Sequence, residues 1–311
     1  MTIAMVFPGQ GSQSQGMQAD LAEAFPCVRE TYSEASDVLG YDLWQLVQDG
    51  PAEKLGQTTV TQPAMLAAGV AAWRCWNEAG GAQPSHFAGH SLGEYSALVA
   101  AGAMAFSDAM AVVKTRSELM QEAVPAGVGA MAAILGLDDD VIEKVCNEAA
   151  QGEIVEAVNY NSPGQVVIAG HKGAVERAVE QSKSAGSRRA VTLPVSVPSH
   201  SSLMQQAGMT LADSLAEIDV KAPADKVIAA TNGVAYAGPD QIRETLSLQV
   251  YSPVQWVSTI NAMVSDGATV VIECGPGKVL AGLVRRINRG TAFATLDNHD
   301  GLSKALENYG K

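Results

Sequence analysis

The sequence predicts an α/β protein, with a large domain on a parallel sheet and a small unit inserted into it. Three observations predict this. Short apolar, strand-like runs alternate with longer helical patterns at both ends of the chain, as a parallel sheet with crossover helices requires. The run Gly89-His90-Ser91-Leu92-Gly93 joins a short apolar stretch to a strong helix former, which is the form of a nucleophile elbow. Between Pro125 and Pro198 the pattern changes to strand-helix-strand, strand-helix-strand.

The elements follow in order. Residues 2–7 form a buried strand, followed by a loop of turn formers, Pro8-Gly9-Gln10-Gly11-Ser12-Gln13. Helical periodicity runs through 21–39 and 62–78. Residues 86–90 are the strand that feeds the elbow, and 92–101 the helix behind it. Ser107 is a candidate N-cap for a helix to about Val124, which Pro125 ends. The inserted unit then reads as strand 128–135, a helix opened by Asp138–Asp140 and running to Ala150, and strands 154–160 and 165–169. The turn signal Asn161-Ser162-Pro163-Gly164 separates those two strands. Helix 173–185 and strand 189–195 complete it. Beyond Pro198 come helix 202–217, strand 226–230, helix 254–266, strand 269–273, helix 277–289 and a late strand 292–295. The expected domains are an α/β-hydrolase-like large domain, 1–125 with 198–311, and a ferredoxin-like β-α-β-β-α-β subdomain, 126–197.

With 47% apolar and 17% charged residues in 311, the chain can bury a sizeable core. A net charge of −13 argues against nucleic acid or an anionic membrane as partner. Cys27, Cys75, Cys146 and Cys274 are isolated and have neither metal-ligand nor redox-motif spacing. They read as buried reduced thiols of a cytoplasmic protein. The N-terminus lacks a basic region and a signal-length apolar run, and no stretch reaches the roughly 18 apolar residues of a membrane span.

A serine hydroxyl needs a base within hydrogen-bond reach. Of the five histidines, His90 adjoins Ser91 but points to the opposite face, so it reads as a brace for the elbow. His86 and His171 lie at element ends and read as surface residues. His299, in the polar run Asp297-Asn298-His299-Asp300, fits the serine-acid-histidine order of ordinary hydrolases. His200 sits in a loop at the end of a strand, where the small unit rejoins the large one, and is preferred.

Five blocks carry a resemblance to a known family. They are Phe7–Gln13, the elbow run Gly89–Gly102, Asn161–Gly170, the Pro198-Ser199-His200 loop and Glu273-Cys274-Gly275-Pro276-Gly277-Lys278-Val279-Leu280. Together, and in order, they resemble the discrete malonyl-CoA:acyl-carrier-protein transacylases of fatty-acid synthesis. The resemblance implies that Ser91 is the acylated nucleophile and His200 the general base and acid. It implies that the backbone carbonyl of Gln249 orients the imidazole in place of a carboxylate. It implies backbone N–H groups of Gln10 and Leu92 as the oxyanion hole, and Arg116 as the grip on the malonyl carboxylate. An ordinary helical arginine would instead pair with Glu118 or Glu122 at the surface. No cofactor or metal is implied; the substrates are malonyl-CoA and holo acyl carrier protein, and a monomer is expected.

Acyl carrier proteins are acidic, as is this chain, so docking needs a local basic patch. Arg188-Arg189 and Arg285-Arg286 with Arg289 are the candidates. Three rival readings stand beside this one. They are an acyltransferase for methylmalonyl or acetyl groups, a lipase-type hydrolase, and an inactive carrier-binding scaffold.

Overall fold

The structure, a computed structural model, describes residues 1–125, 127–195 and 197–310. The expected start of the small unit at Ala126, Ser196 in the loop before His200, and the chain end at Lys311 lie outside the described residues.

The first strand, β1 (Ile3–Phe7), is buried on both faces, as its unbroken apolar run requires. Helices α1 (Ala19–Ala24) and α2 (Pro26–Leu39) replace the single helical pattern expected over 21–39. Pro26 sets the break: it has no N–H to continue α1, and its fixed φ suits the first turn of α2. Two short helices follow that the sequence reading missed, α3 (Leu43–Asp49) and α4 (Ala52–Leu55). Helix α5 (Thr58–Glu78) starts a turn earlier than expected and carries Pro63 in its second turn. Strand β2 (His86–Gly89) leads into α6 (Gly93–Ala100), and α7 (Phe106–Glu122) comes next. Ser107 is not the cap of α7; Ala105 occupies that position, and burial of Phe106 fixes the helix start.

The small unit contains β3 (Gly129–Leu135), α8 (Asp139–Ala150), β4 (Val155–Ser162), β5 (Gln165–His171), α9 (Lys172–Ser184) and β6 (Arg189–Thr192). Asn161 and Ser162 belong to β4, so the turn is confined to Pro163-Gly164. The last strand stops at Thr192, short of the expected residue 195. The order of this antiparallel sheet is β4-β5-β3-β6. Helices α8 and α9 cover one face; Met131, Val158, Val167 and Ala169 form a small apolar cluster on the other.

The chain continues with α10 (Gln205–Ala216), β7 (Lys226–Ile228), α11 (Pro239–Gln249), α12 (Trp256–Ser265), β8 (Val270–Glu273), α13 (Val279–Ile287), β9 (Ala292–Thr295) and α14 (His299–Tyr309). Helices α11 and α14 were not expected. Pro239 after Gly238, and Asn298 capping Gly301, are their start signals. The large sheet is parallel throughout, in the order β7-β2-β1-β8-β9. Met5, Phe7, Phe87 and Ile272 pack beneath α2, α5 and α7, while Ala4, Val6, Ala88 and Val271 face α12 and α13.

The small sheet is tied by backbone to the segment between α11 and α12 of the large unit. Tyr160 N–H donates to the Val254 carbonyl, and Val254 N–H to the Val158 carbonyl. Cys27 and Cys75, expected to be isolated, meet as free thiols 3.7 Å apart between α2 and α5. Burial pushes both thiols up, Cys27 to about 11. Among the described residues no helix is long and apolar enough to cross a membrane.

Candidate active site

A cavity of about 1030 Å³ lies between the two sheets, lined from the large layer by Gln10, Ser91 and Arg116 and from the small one by Asn161, Gln165 and Val167. Ser91 projects from the turn between β2 and α6. Its φ of 52° lies in the left-handed region, a strain typical of nucleophile elbows. The flanking glycines follow from close approach. A Cβ on Gly89 would lie 1.9 Å from the Gly93 carbonyl carbon, and one on Gly93 would lie 2.1 Å from the Phe7 carbonyl oxygen.

His200 is buried, with a φ of 68°, and its N–H donates to the Val250 carbonyl. Its Nε2 lies 2.8 Å from the Ser91 hydroxyl, and its Nδ1 lies 2.7 Å from the Gln249 carbonyl. A carbonyl only accepts, so Nδ1 carries the hydrogen and Nε2 is left as an acceptor for the Ser91 proton. Burial, reinforced by the nearby Arg116 charge and opposed by the Gln249 hydrogen bond, pushes the imidazole down to about 3. The ring is therefore neutral at pH 7.

Arg116, on α7, is 1% exposed, so the surface pairing with Glu118 or Glu122 does not occur. Its guanidinium donates to Gln62 Oε1, to Gln249 Oε1 at 3.0 Å and to Ser91 Oγ at 3.3 Å. Its Nε has no partner among the described residues. Every one of these acceptors is neutral. The nearest charge balance comes through an amide. Gln249 Nε2 donates both to the Ser91 carbonyl, at 3.0 Å, and to Glu94 Oε2. Glu94 also accepts from the Tyr236 hydroxyl at 2.6 Å and the Ala230 N–H at 3.2 Å. Burial raises the Glu94 carboxyl to about 7 against the pull of these donors and of Arg116.

The structure therefore brings Ser91, His200, Arg116 and Gln249 together. Gln10 and Leu92 also line the cavity. A Cβ on Gly9 would meet the His90 carbonyl oxygen at 2.5 Å and Leu92 N at 3.7 Å, so the loop carrying Gln10 lies against the elbow. None of the remaining histidines bonds the Ser91 hydroxyl, although His90 also lines the cavity. His90 bonds Asn161 at 2.8 Å and packs on Trp256, away from the Ser91 hydroxyl. His86 is not a surface residue; it is 3% exposed and bonds Asp266 at 2.7 Å, because its strand lies inside the sheet, between β7 and β1. The half-buried His171 accepts from the Ile154 N–H. His299 opens α14 against Phe25, outside the cavity, so the hydrolase-like order ending at His299 is not built here.

Sequence reading missed Gln62, Glu94, Tyr236 and the side-chain role of Gln249. Glu94 carried a signal, being a lone charge in an otherwise apolar elbow helix. Arg188, Arg189, Arg285 and Arg286 are all exposed. Arg286 donates to Gln165 on the cavity rim.

Comparison with known proteins accords with this geometry. A family profile described as "Acyl transferase domain" matches residues 4–295. The malonyl CoA-acyl carrier protein transacylase of Escherichia coli (strain K12) is 53% identical over 304 residues, covering 98% of each chain. That of Bacillus subtilis (strain 168) is 42% identical, covering 98% of this chain and 96% of the other. The crystal structure of an acyl carrier protein S-malonyltransferase from Vibrio cholerae superposes with a TM-score of 0.95 at 54% identity, covering 98% of this chain and 99% of the other. A malonyl-transacylase solved in complex with a type II PKS acyl-carrier protein has a TM-score of 0.98 at 53% identity, covering 99% of this chain and 100% of that one. The chain is an acyltransferase, and it belongs to the family of malonyl CoA-acyl carrier protein transacylases.

Proposed function

We propose that this acyltransferase moves a malonyl group from malonyl-CoA to the phosphopantetheine thiol of acyl carrier protein, through a malonyl ester on Ser91. It would thereby supply extender units for fatty-acid synthesis. The observation that carries the reading is the Arg116 guanidinium, buried, bonded only to neutral acceptors and 3.3 Å from the Ser91 hydroxyl. A buried cation without a carboxylate is costly, and a bound acyl group with its own carboxylate supplies the missing charge. Acetyl groups leave that cost unrelieved.

The steps follow from the hydrogen bonds. His200 Nε2 takes the Ser91 proton as Oγ attacks the thioester carbonyl. The N–H groups of Gln10 and Leu92 receive the oxyanion. The tetrahedral adduct collapses, the carbon–sulfur bond breaks, and the imidazolium returns its proton to the CoA thiolate. The carrier thiol then gives its proton to His200, attacks the Ser91 ester and takes the malonyl group. Ser91 leaves with the proton. Gln249, through its carbonyl, holds the imidazolium that forms in each half-reaction.

The carrier would dock beside the cavity. In the small sheet Gln165 pairs with Leu135, and Leu135 with Arg189, so Arg189 stands two strands from the residue that Arg286 contacts. That places the Gln165 and Arg189 backbones about 10 Å apart, along one end of the sheet, with Arg286 held at the Gln165 end by its side chain. This local positive row would offset a net charge of −13. We read the chain as two units, 1–125 with 198–311 as α/β-hydrolase-like and 126–197 as ferredoxin-like, with the cleft between them receiving the acyl thioester.

Intact-mass measurement after mixing with malonyl-CoA tests the reading. A single malonyl adduct is expected, lost in Ser91→Ala and discharged by holo carrier protein. No adduct on the parent chain overturns the reading, as does release of free malonate as fast as transfer.

A further inference from the structure

The Gln249 side chain touches more of the site than its carbonyl does. Its amide oxygen accepts from Arg116, and its amide nitrogen donates to the Ser91 carbonyl and to Glu94. Only one orientation satisfies all three. Turned over, the amide would set its nitrogen against the guanidinium and its oxygen against the Ser91 carbonyl. In the orientation that works, the nitrogen faces Glu94, which must accept. The Tyr236 hydroxyl and Ala230 N–H also donate to Glu94, so three donors converge on this carboxyl and favour its anionic form against the effect of burial.

Glu94 is fully buried and lies in the first turn of α6, where an acid ordinarily serves the helix N-terminus. Its side chain does not bond the amides of its own helix. It turns instead towards Gln249 at the end of α11 and towards the segment after β7. Its carboxyl sits one amide away from the Arg116 guanidinium.

We propose that Glu94 is a positioning residue that determines acyl selectivity: its carboxylate locks the Gln249 amide, and the locked amide holds the Arg116 guanidinium beside Ser91. The arrangement braces the cation through a polarised amide while leaving it without a direct carboxylate partner. A direct Arg116–Glu94 ion pair would occupy the guanidinium and compete with the malonyl carboxylate. The spacer keeps one coordination face for the substrate. This inference rests on the assignment of Arg116 to the malonyl carboxylate.

The test is Glu94→Gln, which preserves shape but removes the charge and places an NH2 donor either against the Gln249 amide or against the Tyr236 hydroxyl and Ala230 N–H. Steady-state kcat and KM are measured with malonyl-CoA and with acetyl-CoA, along with the thermal midpoint. KM for malonyl-CoA is expected to rise about tenfold, the scale of one lost charge-assisted hydrogen bond. The malonyl-over-acetyl ratio of kcat/KM should fall by a similar factor. Glu94→Asp, which keeps the charge, should recover part of the ratio. A ratio within twofold of the parent, or equal losses on both substrates, overturns the proposal. If Glu94→Gln does not fold, Tyr236→Phe is read the same way. The expected fall in ratio is then about threefold, and an unchanged ratio again overturns the proposal. Failure of the underlying reading looks different, because the parent chain would then take no malonyl adduct on Ser91.

Discussion

Arg116 and Ser91 stand 3.3 Å apart, with the guanidinium donating to the hydroxyl. That hydroxyl is 2.8 Å from the acceptor nitrogen of His200. One side chain therefore faces both the base that would activate it and the cation that would select its cargo. In the proposed reaction, acyl selection and acyl transfer would meet at this single oxygen atom.

Arg116→Ala removes the only buried cation that faces the hydroxyl among the described residues. Malonyl-CoA kcat/KM is expected to fall about 10²–10³-fold, for the loss of a two-bond grip on a carboxylate. Acetyl-CoA should gain relative to malonyl-CoA, because the cost of an unpaired cation has gone. Initial rates with the two thioesters check this, and an unchanged ratio would remove Arg116 from the selectivity role.

His200 makes a prediction in pH. Its folded value, about 3, lies below its ordinary 6.5, so the unfolded chain binds the extra proton first as pH falls. Its contribution to stability is therefore full above pH 6.5 and declines as pH drops towards 3. Urea midpoints should fall between pH 7 and pH 5, and His200→Asn should fall less steeply. The acylation rate of the free enzyme should show no inflection near pH 6.5. A bound malonyl carboxylate would offset the Arg116 charge that helps depress this imidazole. His200→Ala is expected to slow acylation about 10²–10⁴-fold.

Gly93→Ala tests the elbow. The added Cβ would meet the Phe7 carbonyl oxygen at 2.1 Å, between two backbones that have no soft direction in which to yield. A loss of about 3 kcal/mol or more is expected in urea unfolding, with loss of the Ser91 adduct. A variant as stable and active as the parent would show that β1 and α6 are not in such close contact.

Arg286→Glu reverses the charge beside Gln165. The KM for carrier protein should rise about tenfold and lose its salt dependence, while the KM for malonyl-CoA stays within about twofold. Arg189→Glu should act in the same direction. Equal carrier KM values across the three proteins would move the docking surface elsewhere.

Much of the molecule was legible in the chain. The apolar runs at 3–7 and 270–273 announce a buried parallel sheet, because strands covered on both faces need no polar alternation. The Gly-x-Ser-x-Gly run announces the elbow, because only glycine allows the backbone contacts that 89 and 93 make. Less legible were α11 and α14, whose start signals are single residues, and the break at Pro26, hidden inside a continuous periodic pattern.

What the sequence by itself determined is local: strands, turns, the exposed serine and the residue types that acyl chemistry requires. The tertiary structure decided which of five histidines meets Ser91, and that an arginine 25 residues away is buried rather than solvated. It also decided that Glu94 reaches Arg116 through the side chain of Gln249. The physical reason is that hydrogen bonds and desolvation act over a few ångströms of space, whatever the separation along the chain. His200 and Ser91, 109 positions apart, become neighbours only when α11 presents the Gln249 carbonyl behind the imidazole.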